Sequence, residues 1–173
     1  MSEELIKGYW LRPGLAIDEP KLVRFMCRTY EELYPEQDFG HLAKTINQYF
    51  SSQTPLWWVE WEEEGDKIKD DSVNFLPSSF RNSSPIVGCL WLGNAIDQVT
   101  GDRHAYIFLL YIVPEHRRRG LGKALVTYAE NWARKRGDKQ LGLQVFFANA
   151  PALNLYKKLG YETRSLWMLK SLD

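Results

Sequence analysis

The densest run of chemistry-bearing residues in this 173-residue chain is His116-Arg117-Arg118-Arg119-Gly120-Leu121-Gly122-Lys123. It follows the apolar run 105–113 and leads straight into a helical pattern. Two glycines let a backbone turn tightly, and successive N–H groups at a helix start point at one spot. With the positive end of the helix dipole, such a turn is an anion cradle suited to a pyrophosphate. Arg118, Arg119 and Lys123 add charge around it. The nucleotide loop Gly-x4-Gly-Lys-Ser/Thr is excluded, because Ala124 follows Lys123. The dinucleotide fingerprint is excluded as well, because position 125 is Leu where a third glycine belongs. An arginine run at a helix start is often only a solvated face; the glycine pair after a greasy strand distinguishes this one.

Arg117-x-x-Gly120-x-Gly122 resembles the (Gln/Arg)-x-x-Gly-x-(Gly/Ala) motif of the GNAT superfamily of N-acetyltransferases. Leu110-Tyr-Ile-Val-Pro-Glu-His is similar to the strand that enters the family's acetyl-CoA loop. Asn149 and Tyr156-Lys-Lys-Leu-Gly-Tyr-Glu resemble its second cofactor segment. The resemblance covers about residues 86–162, and Tyr9-Trp-Leu-Arg-Pro ahead of a helix is weakly consistent with it. It implies an α/β fold: a mixed central sheet of about six to seven strands, helices on both faces, and a splay between two central parallel strands that receives the pantetheine arm. It further implies acetyl transfer from acetyl-CoA to a primary amine of a small molecule or protein, by direct attack in a ternary complex. No metal is implied, and a homodimer is allowed.

Carried onto this chain, the resemblance gives backbone groups of Tyr111, Ile112 and Val113 to the pantetheine and the thioester carbonyl. Arg117 opens the loop, and the amides of Arg118, Arg119, Gly120, Leu121, Gly122 and Lys123 hold the pyrophosphate. Asn149 contacts the pantetheine arm, or simply caps the helix that follows. Tyr156 protonates the departing thiolate, or packs within the apolar stripe Ala152, Leu155, Tyr156 and Leu159. Proton transfer from a phenol of pKa ~10 to a thiolate of ~8.5 is uphill by ~2 kcal/mol. Some relatives carry a glutamate base eleven residues before the motif, where this chain has Tyr106. Deprotonation then runs through water to a group such as His104 or Glu60, or needs little help. The rival readings are a non-catalytic acyl-CoA-binding or sensing module on the same fold, and a nucleic-acid contact through residues 116–119 and 134–136.

The composition opposes the nucleic-acid reading. Lys plus Arg and Asp plus Glu number 22 each, whereas a dedicated nucleic-acid binder carries a basic excess. The longest apolar runs are too short to span a bilayer, which argues against a membrane protein. An acidic N-terminus without a signal-peptide pattern reads as cytoplasmic. Cys27 and Cys89 fit no metal spacing and read as buried free thiols.

One domain, residues 1–173, must position this machinery. Residues 5–11 alternate like a first strand, and Asp18 with Pro20 opens a helix through Leu22, Phe25, Met26, Thr29 and Leu33. A weaker helix follows at 41–50, then strands at 56–61, 86–92 and 105–113. A long helix runs from Leu121 to an exit at Gly137, followed by a strand at 140–147, a helix at 150–159 and a last strand or hairpin at 161–169. Residues 62–85 read as a mobile excursion. Seven carboxylates between Glu60 and Asp71 face two lysines, either as a solvated loop or as a negative rim that attracts a cationic amine. Trp57, Trp58, Trp61 and Trp91 border the acceptor cleft or belong to the core.

Overall fold

The computed structural model describes residues 2–62 and 84–172. Strands β1 (Glu3–Ile6) and β2 (Tyr9–Pro13) form a hairpin, followed by α1 (Glu19–Glu31), α2 (Leu42–Tyr49) and β3 (Leu56–Trp61). Then come β4 (Ile86–Ile96), β5 (Arg103–Ile112), α3 (Leu121–Lys135), β6 (Leu141–Leu143) and α4 (Ala150–Lys158). The six strands lie in sequence order in one sheet, antiparallel except for the parallel pair β5–β6. The expected mixed sheet with helices on both faces is therefore present. Residues 63–83 of the 62–85 excursion, and with them most of the acidic stretch, lie outside the described residues.

Side-chain alternation gives the sheet two greasy faces, as a strand flanked by helices on both sides requires. On one face Leu22, Phe25 and Met26 of α1 and Ile46 of α2 pack on Trp58, Cys89, Trp91, Leu109 and Tyr111. On the other, Leu121, Leu125 and Ala129 of α3 pack on Leu11, Trp57, Val59, Leu90 and Ile107. Trp57, Trp58 and Trp91 are core, and the Trp91 indole donates to Thr54 O at 3.1 Å. Cys89 is buried and Cys27 half-buried, both free. No helix among the described residues is long and apolar enough to cross a membrane.

Four expectations change, the first being that the strand read at 140–147 is only Leu141–Leu143. The single strand read at 5–11 is a hairpin, turned at Gly8 with φ of 78°. Asp18 does not cap α1 through its side chain; its carboxylate accepts from the Leu15 amide at 2.9 Å and pairs with Arg12 and Lys21. Residues 161–169 form no strand: β6 has only three residues to offer a ladder, and Leu166, Trp167, Met168 and Leu169 stay exposed.

Gly88 sits where β4 crosses the end of β5. A Cβ there would lie 2.7 Å from the Tyr111 carbonyl oxygen, which is backbone and cannot swing aside. Gly88→Ala is expected to cost about 1–3 kcal/mol in urea unfolding by forcing the two strands apart.

Candidate active site

The loop after β5 is built from alternating backbone hands. Arg118 has φ of 63° and Gly120 has φ of 88°, both left-handed, before α3 begins at Leu121. Such alternation turns consecutive N–H groups inward into a concave nest. The amides of Arg118, Arg119, Gly120, Leu121, Gly122 and Lys123 find no acceptor among the described residues; the next one, Ala124, returns to Gly120 O at 3.0 Å. Six consecutive donors without an acceptor among the described residues thus stand at the positive end of a fifteen-residue helix, a geometry suited to an anion.

The side chains of the motif do different work from its amides. Arg117 turns away from the nest: its Nε donates to Ile112 O at 2.7 Å, and its Nη2 donates to both oxygens of Glu32 at 2.9 and 2.7 Å. Arg119 donates to Tyr9 Oη at 3.0 Å and to Glu115 O at 3.2 Å, and Tyr9 Oη lies 2.9 Å from His116 Nδ1. His116 stacks edge-on with Trp61, ring centroids 4.9 Å apart. Burial, and then the Arg119 charge, push its imidazole below the usual range. These contacts brace the loop on the N-terminal hairpin. Lys123 lines a cavity of about 420 Å³ between β1 and α3, together with Glu3, Glu4 and Thr127. Only Arg118, of the three arginines, has no side-chain partner among the described residues.

Beyond Ile107, β5 has no neighbour on its β6 side among the described residues, because parallel pairing stops at Leu143. That leaves the outer edge of residues 108–113 open, which is the splay. Val113 is not available there, since its amide donates to Val87 O at 2.9 Å on the β4 side. Strand groups alternate between neighbours, so Ile112 and Leu110 face outward, and the Ile112 carbonyl is already held by Arg117. Tyr111 sends its side chain to the α1 face, where its hydroxyl donates to Glu32 at 2.6 Å. Burial first, then Glu32, push that phenol up to about 12.

Asn149 caps α4, its Oδ1 accepting from the Ala152 amide at 3.2 Å, while its Nδ2 has no partner among the described residues. Tyr156 lies one residue beyond Leu155, and a Cβ on Gly122 would sit 3.0 Å from Leu155 Cδ2 and 3.9 Å from Ile112 Cδ1. The end of β5, the start of α3 and α4 thus converge on Gly122. The Tyr156 ring packs 5.6 Å from Tyr161 and its hydroxyl bonds to nothing among the described residues. Burial pushes its pKa up to about 12.

Neither group considered for distant proton removal is well placed. His104 is the second residue of β5, roughly 23 Å along the strand from Tyr111, and Glu60 is bound to Arg12 Nε at 2.7 Å. Tyr106 pairs with Gly142 where β5 and β6 are still joined, and burial raises its phenol. Glu32, which ties Arg117 and Tyr111 together, was invisible to sequence reasoning: no local pattern links residues 79 and 85 positions apart. Among the described residues no three His, Cys, Asp or Glu side chains gather as a metal site.

An open mixed sheet whose last parallel pair ends beside an amide nest defines the class of fold. The sequence profile of the Acetyltransferase (GNAT) family matches residues 20–161, and the chain belongs to that family. It is 29% identical over 162 residues to an uncharacterized N-acetyltransferase of Methanocaldococcus jannaschii, covering 94% of this chain and 64% of that protein. It is 38% identical over 72 residues to the [ribosomal protein bS18]-alanine N-acetyltransferase of Escherichia coli, 42% of this chain and 48% of that enzyme. The chain therefore spans less than two thirds of the length of either relative. A predicted acetyltransferase of Clostridium acetobutylicum solved with acetyl-CoA shares the fold at a TM-score of 0.67 and 17% identity, over 95% of this chain and 96% of that one.

Proposed function

We propose that the chain transfers the acetyl group of acetyl-CoA to a primary amine, with both substrates bound at once. The observation that carries this reading is the run of six unpaired amides from Arg118 to Lys123 beside the open edge of β5. The nest suits the pyrophosphate, and the Gly122 position leaves no side chain between it and Leu155. The outward N–H of Ile112 and the free Nδ2 of Asn149 would hold the arm that lies along β5.

In the reaction the amine nitrogen's lone pair forms a bond to the thioester carbonyl carbon, and the carbon–sulfur bond breaks with its electron pair on sulfur. The nitrogen loses a proton to solvent, and the sulfur gains a hydrogen bond or a proton from Tyr156. With the phenol near 12, full transfer to a thiolate whose thiol has a pKa of ~8.5 is uphill on the order of 4–5 kcal/mol. Tyr156 therefore acts chiefly by donating a hydrogen bond that strengthens as negative charge grows on sulfur. Tyr111, Ile112 and Val113 shape the strand end, and Glu32 with Arg117 fixes it.

The acceptor is a small-molecule or protein amine; the bacterial relative that acts on a ribosomal-protein alanine favours an α-amine. A non-catalytic sensing role draws support from one feature: Glu32, which binds Tyr111, and Glu60, considered for proton removal, are both ion-paired. Thiol release from acetyl-CoA over a panel of about a hundred amines separates the two. Amine-dependent release establishes transfer, and tight acetyl-CoA binding with no release over the whole panel establishes sensing.

A further inference from the structure

On the α1 face, a cavity of about 610 Å³ is lined by Arg12, Lys21, Arg24, Arg28, Phe25 and Glu60, with Ser84 to Ile86 at its edge. Among the described residues the positive charge there is not balanced. Glu60 and Asp18 both bind Arg12, at 2.7 and 3.3 Å, and Asp18 also holds Lys21 at 3.4 Å. Arg24 and Arg28 have no carboxylate partner among the described residues; Arg28 only lies over the Phe25 ring at 5.8 Å. Glu32, the acid four residues beyond Arg28, is taken by Arg117 and Tyr111. Lys21, Arg24 and Arg28 stand at i, i+3 and i+7 on α1, so three like charges share one helical face, a spacing that opposes the helix unless an anion lies among them. Phe25 connects this cavity to the transfer site, its ring meeting that of Tyr111 edge-on at 5.7 Å.

We infer that this cavity is the acceptor's recognition site and that the acceptor carries an anionic group, a carboxylate or phosphate, bound by Arg24 and Arg28. The inference rests on the acetyltransferase reading for its purpose but not for its binding chemistry. Planar guanidinium forks match carboxylate and phosphate oxygens in pairs. Lys21 and Arg12 add long-range attraction, and Phe25 gives the acceptor an apolar floor. An acceptor anchored there presents its amine past Phe25 toward the end of β5.

The test is calorimetric titration with succinate, inorganic phosphate and neutral succinamide, in low-chloride buffer. The proteins are the wild type, Arg24→Glu and Arg24→Gln, with acetyl-CoA titrated separately into each. Succinate or phosphate is expected to bind at millimolar concentration or below, at least tenfold tighter than succinamide. Arg24→Glu is expected to lose at least tenfold of that affinity and Arg24→Gln part of it, with acetyl-CoA affinity unchanged. Tighter succinate assigns an amino-acid or peptide carboxylate; tighter phosphate assigns a phosphorylated amine. Equal binding of succinate and succinamide, or an undiminished anion affinity in Arg24→Glu, overturns the proposal. Failure of the acetyltransferase reading shows instead as absent acetyl-CoA binding in the wild type, or as binding without amine-dependent thiol release.

Discussion

Tyr156→Phe is expected to lower kcat by roughly 10- to 1000-fold, the range of one acid group, while acetyl-CoA affinity and the melting curve stay near those of the parent. The phenol hydroxyl bonds to nothing among the described residues, so its removal strands no partner. The ring keeps its packing on Tyr161. A drop in kcat without a change in affinity is the signature of a contact made only as the carbon–sulfur bond breaks. The pH profile carries the same logic. A phenol raised to about 12 stays protonated through pH 6–9, so no loss of activity from Tyr156 ionisation falls in that window. An alkylamine of pKa ~10.4 must lose its proton before attack, so kcat/KM with such an acceptor should climb about tenfold per pH unit below that value. Parental turnover in Tyr156→Phe would reduce this residue to packing.

Gly122→Val is expected to weaken acetyl-CoA binding at least tenfold. The first added carbon falls 3.0 Å from Leu155 Cδ2, a flexible side-chain end that gives by a few tenths of an ångström. The further methyl groups of valine then crowd the space where the end of β5, the amide nest and α4 meet. Gly122 lies in the first turn of α3 and its substitution does not touch the buried stripe of Leu121, Leu125 and Ala129, so far-ultraviolet circular dichroism should be retained. Gly122→Ala, with the smaller intrusion, should fall between valine and the parent. A folded Gly122→Val that binds acetyl-CoA like the parent would remove the nest from the cofactor site.

The nest was legible because it is local. Two glycines, a preceding greasy strand and a following helix dictate the hand of a few contiguous residues, and Gly120 duly appears left-handed. The helices were legible for the same reason, carrying apolar faces at i, i+3 and i+4 through Leu22, Phe25 and Met26, and at i, i+4 and i+8 through Leu121, Leu125 and Ala129. Long-range pairings were not. Residues 5–11 alternate well enough to pass for a single strand, so the hairpin of β1 and β2 was missed until Gly8 turned it. Glu32 holds Arg117 from 85 residues away, which no spacing rule reaches, and an arginine expected near the pyrophosphate instead clamps the strand that precedes it. Val113 was expected at the open edge, but sheet register faces its amide toward Val87. The stretch after Gly160 is rich in strand-forming residues, yet propensity alone builds no ladder beside a three-residue β6.

The most direct measurement follows the amide resonances of ¹⁵N-labelled protein during titration with acetyl-CoA. The largest shifts are expected at Arg118, Arg119, Gly120, Leu121, Gly122 and Lys123, where donors now without a protein acceptor would gain a phosphate oxygen. Ile112 and Asn149 should follow them, and Val113, already bonded to Val87, should move less. Saturable acetyl-CoA binding that left the amides of residues 118–123 unmoved would contradict the assignment of this loop as the pyrophosphate cradle.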